Sequence, residues 1–167
     1  MRKNMSAMIF VSVGTQLPFD RLISAMDQWS GNHPDYSVFA QIGESQYAPK
    51  NMAFEKNLSI SEYTDCFNKA SLVVSHAGMG TIITALESQK PLIIMPREFS
   101  RSEHRNDHQV ATAEKFSHFD LIDVVEDTAS LFDAIDSAMK SAGEKTSPRL
   151  EVSGALIQAI ESVIDSA

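Results

Sequence analysis

The 167-residue chain is 43% hydrophobic and 22% charged, which suits one globular domain with its own core and leaves no room for two catalytic domains. Its formal net charge of −8 argues against a broad surface for nucleic acid or anionic membrane, because such surfaces draw on many Lys and Arg contacts. The single cysteine, Cys66, excludes an internal disulfide and a cysteine-based metal site, and no apolar run is long enough to span a bilayer, so the chain reads as cytosolic.

Residues 1–7 read as a short extension. Met8 to Val13 (MIFVSV) is a compact apolar run stopped by Gly14, the pattern of a strand buried on both faces. Pro18 then opens a helix with Phe19, Leu22, Ile23, Met26 and Trp29 on one face, which Gly31 and Pro34 are expected to end. Tyr36 to Ile42 and Ala53 to Leu58 are the next strand candidates, and a helix is expected from about Ser61 to Lys69. Ser71 to Ser75 (SLVVS) runs directly into His76-Ala77-Gly78-Met79-Gly80-Thr81 and a helix carrying Ile82, Ile83 and Leu86. Pro91 to Met95 is a further strand, followed by a polar loop, a helix over about Asp107 to Phe116, the strand Leu121 to Val125 and a helix over about Thr128 to Met139. Residues 141–149 read as a linker, and 150–167 as a final amphipathic helix able to pack on another domain or on its own.

Strands separated by helices imply parallel pairing through right-handed crossovers, hence an α/β, Rossmann-like, doubly wound sheet over residues 8–140. Ligands of such sheets bind at the carboxyl ends of the strands, and three loops of this chain fall there. Gly14-Thr15 lies where the first strand meets the first helix, a place where free N–H groups and the helix dipole attract an anion. Gly78 and Gly80 remove bulk from the start of a helix while His76 adds a ring donor. The third loop gathers Arg97, Arg101, His104 and Arg105 ahead of His108 and Gln109, an unusual density of basic groups for an acidic chain. The plain alternatives are a tight turn, a strand-end histidine bonded to backbone and a solvated charged loop.

The blocks VSVGTQLPFDRLI, SLVVSHAGMGTIITAL, KPLIIMPR and EHRNDHQVATAEKF, in that order, resemble glycosyltransferase family 28. The likeness is to its split members, the PssE-type exopolysaccharide subunits and the catalytic subunit of the eukaryotic dolichol-linked N-acetylglucosamine transferase. It implies a single GT-B C-terminal-type half domain that holds a UDP-sugar, while a membrane-associated, PssD-like partner supplies the lipid-linked saccharide acceptor. The chain would then sit at the cytoplasmic membrane through that partner. Carried over by position, Gly14 and Thr15 would lie near the donor diphosphate, Gly78, Met79, Gly80 and Thr81 would wrap phosphate and sugar, and Gln109 would bond the sugar. Where many members place a ribose-gripping glutamate this chain has Thr84, with Glu87 one turn further along the same face as a substitute. The Pro96-Arg97 pair and the EHRNDHQ block look PssE-like, which points to an exopolysaccharide pathway and UDP-glucuronate, whose carboxylate Arg97 or Arg105 would pair.

An inverting, metal-independent transfer without a cofactor is the expectation, because the phosphate-end loops carry no Asp-x-Asp pattern. No catalytic base is assigned. His76 and His108 are the titratable candidates on this chain, and the family places the base on the partner. The competing readings are a non-catalytic nucleotide-sugar-binding or regulatory subunit, and self-association of the isolated chain is left open. A dehydrogenase lacks its dinucleotide glycine fingerprint here, and a response regulator lacks its acidic cluster.

Overall fold

The computed structural model describes residues 7–142, 157–158 and 160–162. The elements in chain order are β1 (Met8–Ser12), α1 (Asp20–Asn32), β2 (Ser37–Gln41), β3 (Ala53–Glu55), α2 (Ile60–Lys69), β4 (Leu72–His76), α3 (Met79–Glu87), β5 (Leu92–Met95), α4 (His108–Phe116), β6 (Ile122–Val124) and α5 (Thr128–Ser141). The strands form one six-stranded parallel sheet in the order β3-β2-β1-β4-β5-β6. Winding therefore reverses between β1 and β4, which leaves a crevice where the two chain directions part.

Alternation along each strand divides the core into two layers. Ile9, Val11, Val38, Val74, Ile93 and Met95 point to the face covered by α1 and α5, where they meet Leu22, Met26, Trp29, Leu131 and Ile135. Phe10, Val73, Leu92 and Ile94 point to the other face, against Phe67 of α2, Ile82 and Leu86 of α3, and Phe116 of α4. Helices on both faces make the sheet doubly wound, as the alternation of elements implies. Each fully buried aliphatic side chain contributes about 1.5–3 kcal/mol, so both layers are needed to hold the ends of β1 and β4 in place.

Element boundaries differ from the sequence expectation for local reasons. Pro18 lies ahead of the α1 cap residue Phe19 rather than inside the helix. Gly31 stays within α1, packed where a side chain would meet Asn51 at 3.0 Å, and the helix stops at Asn32 because His33 precedes a proline. β3 ends at Glu55 rather than Leu58, since Asn57 and Leu58 leave the sheet edge to line the crevice. The connection from β2 to β3 has no helix and is organised by the buried carboxylate of Asp27. That group accepts from the Tyr47 hydroxyl at 2.7 Å and from the backbone N–H groups of Lys50 and Asn51 at 2.9 and 2.7 Å. The hydrogen bond to this carboxylate raises the Tyr47 phenol above its ordinary value.

The expected linker over 141–149 lies outside the described residues except for Ser141, which ends α5, and Ala142, its cap. Of the expected final helix, residues 157–158 and 160–162 are described and helical; Ile160 packs on the layer containing Phe116, whereas Ile157 is exposed. The last segment thus packs on its own domain through at least one of its apolar positions.

Candidate functional site

A cleft of about 670 Å³ opens at the carboxyl end of the sheet, over the reversal between β1 and β4. Its floor is the run Ser12 to Leu17 together with His76, and one wall is the first turn of α3, Gly78 to Thr81 with Thr84. Asn57, Leu58 and Tyr63 close one side, and Arg97, His104 and Gln109 close the other. Among the described residues no carboxylate lines the cleft, although the chain as a whole is strongly acidic.

The His76 ring explains the two glycines beside it. A methyl group placed on Gly14 would stand 2.8 Å from His76 Cε1, and one on Gly78 would stand 2.3 Å from Nε2, so a side chain at either position requires the ring to shift. Gly14 also has φ of +76°, a left-handed conformation that costs other residues about 1–2 kcal/mol. Burial first, and then the Arg97 charge, push the His76 imidazole down from 6.5 to about 4, so the ring is neutral at neutral pH. By contrast, a methyl group on Gly80 would meet nothing within 4 Å, so that glycine leaves space in the cleft rather than room for a neighbour.

Gly78 caps α3 with no side-chain bond, and the first intrahelical bond of the turn runs from Ile82 N to Gly78 O. The N–H groups of Met79, Gly80 and Thr81 are therefore left without helical partners at the positive end of the α3 dipole, beside the cleft. Thr81 Oγ1 lies 3.2 Å from the Tyr63 hydroxyl. Thr84 Oγ1 donates to Gly80 O at 2.8 Å, so its hydroxyl proton is already engaged within the helix.

The floor is held by a residue that the sequence reading passed over. Gln41, buried at the end of β2, accepts through Oε1 from Ser12 Oγ at 3.1 Å and Val13 N at 3.3 Å, and donates through Nε2 to Gly14 O at 2.9 Å and Lys56 O at 3.0 Å. It ties the β1 loop to the segment leading into Asn57 and Leu58. A glutamine at a strand end carries no sequence signal for this role, because the role depends on which strands are neighbours.

Arg97 lines the cleft but is largely a structural tie. It is 3% exposed, its Nη2 donates to the carbonyls of Val13 and Leu17, and its guanidinium lies 5.0 Å from the Phe19 ring centre. Its Nε is buried without a partner among the described residues. Burial lowers its pKa to about 10, which still leaves it charged at neutral pH. Gln109 accepts from Arg97 N at 3.0 Å through Oε1, which fixes the side chain and leaves its amide donors uncommitted among the described residues.

The basic loop separates into parts. Arg101 is paired with Glu98 at 2.8 Å and does not reach the cleft. Arg21 forms a fork on Glu103, at 2.7 and 2.9 Å, and so anchors the loop to α1. His104, given no role of its own by the sequence reading, lines the cleft with its Nδ1 buried and unpartnered among the described residues. Two expected donor residues lie elsewhere. His108 is exposed at the start of α4 with its N–H bonded to Asn106 Oδ1, and Glu87 is exposed at the end of α3; neither lines the cleft. The turn spacing that put Glu87 on the Thr84 face is correct, but the cleft ends a turn earlier. The structure does bring together Gly14, Thr15, His76, Gly78, Met79, Gly80, Thr81, Thr84, Arg97 and Gln109.

Among the described residues no group of three or more His, Cys, Asp or Glu could hold a metal ion, and no helix is long and apolar enough to cross a membrane.

Comparison with known proteins identifies relatives of the chain and of its fold. The chain is 32% identical over 117 residues to the human UDP-N-acetylglucosamine transferase subunit ALG13, across 64% of this chain and 10% of that protein. It is 31% identical over 77 residues to the UDP-N-acetylglucosamine–N-acetylmuramyl-(pentapeptide) pyrophosphoryl-undecaprenol N-acetylglucosamine transferase of Prochlorococcus marinus (strain MIT 9312), across 44% of this chain and 21% of that protein. The chain thus spans a tenth to about a fifth of the length of these curated relatives. An NMR solution structure of ALG13 shares its fold, with a TM-score of 0.62 at 18% identity over 93% of this chain and 94% of that one. The model of the glycosyltransferase family 28 C-terminal domain matches residues 8–158, and the chain belongs to that family as a single Rossmann-like, GT-B C-terminal-type half domain.

Proposed function

We propose that the chain is the donor-binding subunit of a two-component, inverting glycosyltransferase that moves a sugar from a UDP-sugar to a polyprenyl-diphosphate-linked saccharide. The observation that carries this reading is the cleft at the β1/β4 reversal, lined by no carboxylate among the described residues, where the α3 N-terminus, Gly14 and the buried Arg97 charge converge. Such a site suits a diphosphate: backbone N–H groups and a fixed cation neutralise the leaving group without reorganising as charge develops. Gly78 to Thr81 would hold the phosphates, Gln109 the sugar, and Leu58 and Tyr63 an apolar face of the nucleotide. Charge neutralisation by these groups leaves no step that calls for a metal ion.

The same lining supports a partner. Transfer needs a group to take the acceptor proton, and among the described residues the cleft offers no carboxylate, while His76, at about 4, is too weak a base at neutral pH. The base would come from an acceptor-binding subunit, PssD-like and membrane-associated, which would also hold this chain at the cytoplasmic membrane. The names of the relatives make UDP-N-acetylglucosamine the first donor to test. The PssE-like Pro96-Arg97 and EHRNDHQ blocks add UDP-glucuronate and an exopolysaccharide acceptor.

Calorimetric titration of the purified chain with UDP, several UDP-sugars and NAD tests the reading. UDP binding that survives Gly80→Ala in part and is abolished by Gly80→Asp is expected, because the position has space for a methyl group while a carboxylate there repels the diphosphate. Sugar transfer should appear only when the partner subunit is added. No UDP binding, or turnover by the chain alone, would overturn the proposal.

A further inference from the structure

A second hollow, of about 480 Å³, adjoins the cleft and shares Gln16, Leu17 and His104 with it; Arg105 and Asn106 complete its lining. Like the cleft, it is lined by no carboxylate among the described residues. Among the arginines around this loop, Arg21 is forked on Glu103, Arg101 is paired with Glu98 and Arg97 is bonded to backbone carbonyls. Arg105 alone of these makes no ion pair or hydrogen bond among the described residues.

The other polar groups are arranged to match. His104 Nδ1 is buried with no partner among the described residues, an arrangement that is costly unless a ligand completes it. Asn106 accepts from His108 N through Oδ1, which orients the side chain and leaves its amide nitrogen as a donor. The residue before His104 is Glu103, whose carboxylate takes Arg21 and also Glu98 N at 3.0 Å, so the backbone carrying the subsite is held before any ligand arrives. A guanidinium fork, an amide donor and an imidazole suit an oxyanion. An apolar group would leave all of them unsatisfied, and a cation would be repelled.

We infer that Arg105, His104, Asn106 and Gln16 form a second anion subsite beside the donor cleft, which takes an oxyanion carried by a substrate of the same reaction. Two sources share that chemistry, the carboxylate of a hexuronate donor and the diphosphate of the lipid-linked acceptor. The inference rests on the donor-site reading above and extends it past the UDP moiety.

The full chain and its Arg105→Gln and Arg105→Lys variants are titrated with UDP, UDP-glucose and UDP-glucuronate, and then with inorganic pyrophosphate at saturating UDP. UDP itself should bind all three proteins alike. If the donor carboxylate occupies the subsite, wild type prefers UDP-glucuronate over UDP-glucose by roughly tenfold or more, and Arg105→Gln removes the preference. If the acceptor diphosphate occupies it, no donor preference is seen, pyrophosphate binds the UDP-saturated protein, and Arg105→Gln abolishes that binding while Arg105→Lys keeps part of it. Normal UDP binding with neither a carboxylate preference nor a pyrophosphate site overturns the subsite alone. A wild type that binds no UDP overturns the donor reading and this inference together.

Discussion

The two loops that line the cleft after β4 and β5 are built on different physical principles. The β4–α3 loop is shaped by excluded volume: the His76 ring fills the space that side chains at Gly14 and Gly78 would occupy. The β5–α4 loop is shaped by charge and hydrogen bonding, through the Arg21–Glu103 fork, the Glu98–Arg101 pair and the acceptance of Phe99 N by Asp107. The first should therefore fail abruptly when atoms are added, and the second should loosen gradually when bonds are removed. Phosphate binding asks for a rigid cradle, whereas sugar and acceptor recognition tolerates a loop that can adjust, so the division matches the proposed tasks.

The sharpest break should come from Gly78→Ala. Overpacking against a buried ring costs about 1–3 kcal/mol, and the His76 neighbour at 2.3 Å must shift. A marked fall in melting temperature and loss of UDP binding are expected, and the stability cost should largely vanish in a His76→Ala background, a non-additivity that a double-mutant cycle would read. Additive effects would mean that the glycine serves something other than the ring.

Acid should attack the same loop. His76 titrates at about 4 in the folded protein against 6.5 unfolded, so the unfolded chain binds the extra proton and stability is lost as pH falls from 6.5 through about 4. The contribution is on the order of 3 kcal/mol, and denaturant titrations across that range should flatten in His76→Asn. An unchanged slope in the variant would place the acid sensitivity elsewhere.

Arg21→Ala should act on the other loop and by less. The fork is partly buried, with side-chain exposures of 18% and 12%, so its loss should cost about 1–2 kcal/mol. Limited proteolysis after Arg101 or Arg105 should accelerate while UDP affinity falls only modestly. The smallest effect on the fold is expected for Gly80→Ala, a helical position open to a methyl group, where stability should stay level or rise by less than about 1 kcal/mol. Any loss of UDP affinity in that variant then reports ligand crowding rather than misfolding.

Most of the scaffold is readable along the chain because its signals are local. Short apolar runs mark β1, β4 and β5, glycines mark the turns that follow two of them, and the capping box from Ser59 to Glu62 marks the start of α2. The site is readable in part. Gly14 and the His76 to Thr81 run declare themselves by residue type and by their place after a strand, but His108, next to Gln109 in the chain, and Glu87, one helical turn beyond Thr84, lie outside the cleft, while His104 lies inside it. The choice between His104 and His108 depends on how the loop is folded by the Arg21–Glu103 fork, whose partners are 82 residues apart.

What the sequence by itself determined is therefore the alternation of strands and helices, the doubly wound class, and the two glycine loops at the carboxyl ends of β1 and β4, since each follows from hydrophobic period and backbone freedom over a few neighbouring residues. Tertiary structure alone decided that Gln41 ties the cleft floor, that Arg97 is bonded to the β1 loop, and that among the described residues Arg105 is left with open donors and no carboxylate faces the ligand space. Those outcomes depend on which strands become neighbours and on where long side chains find acceptors, and neither is set until the sheet has closed around its two cores.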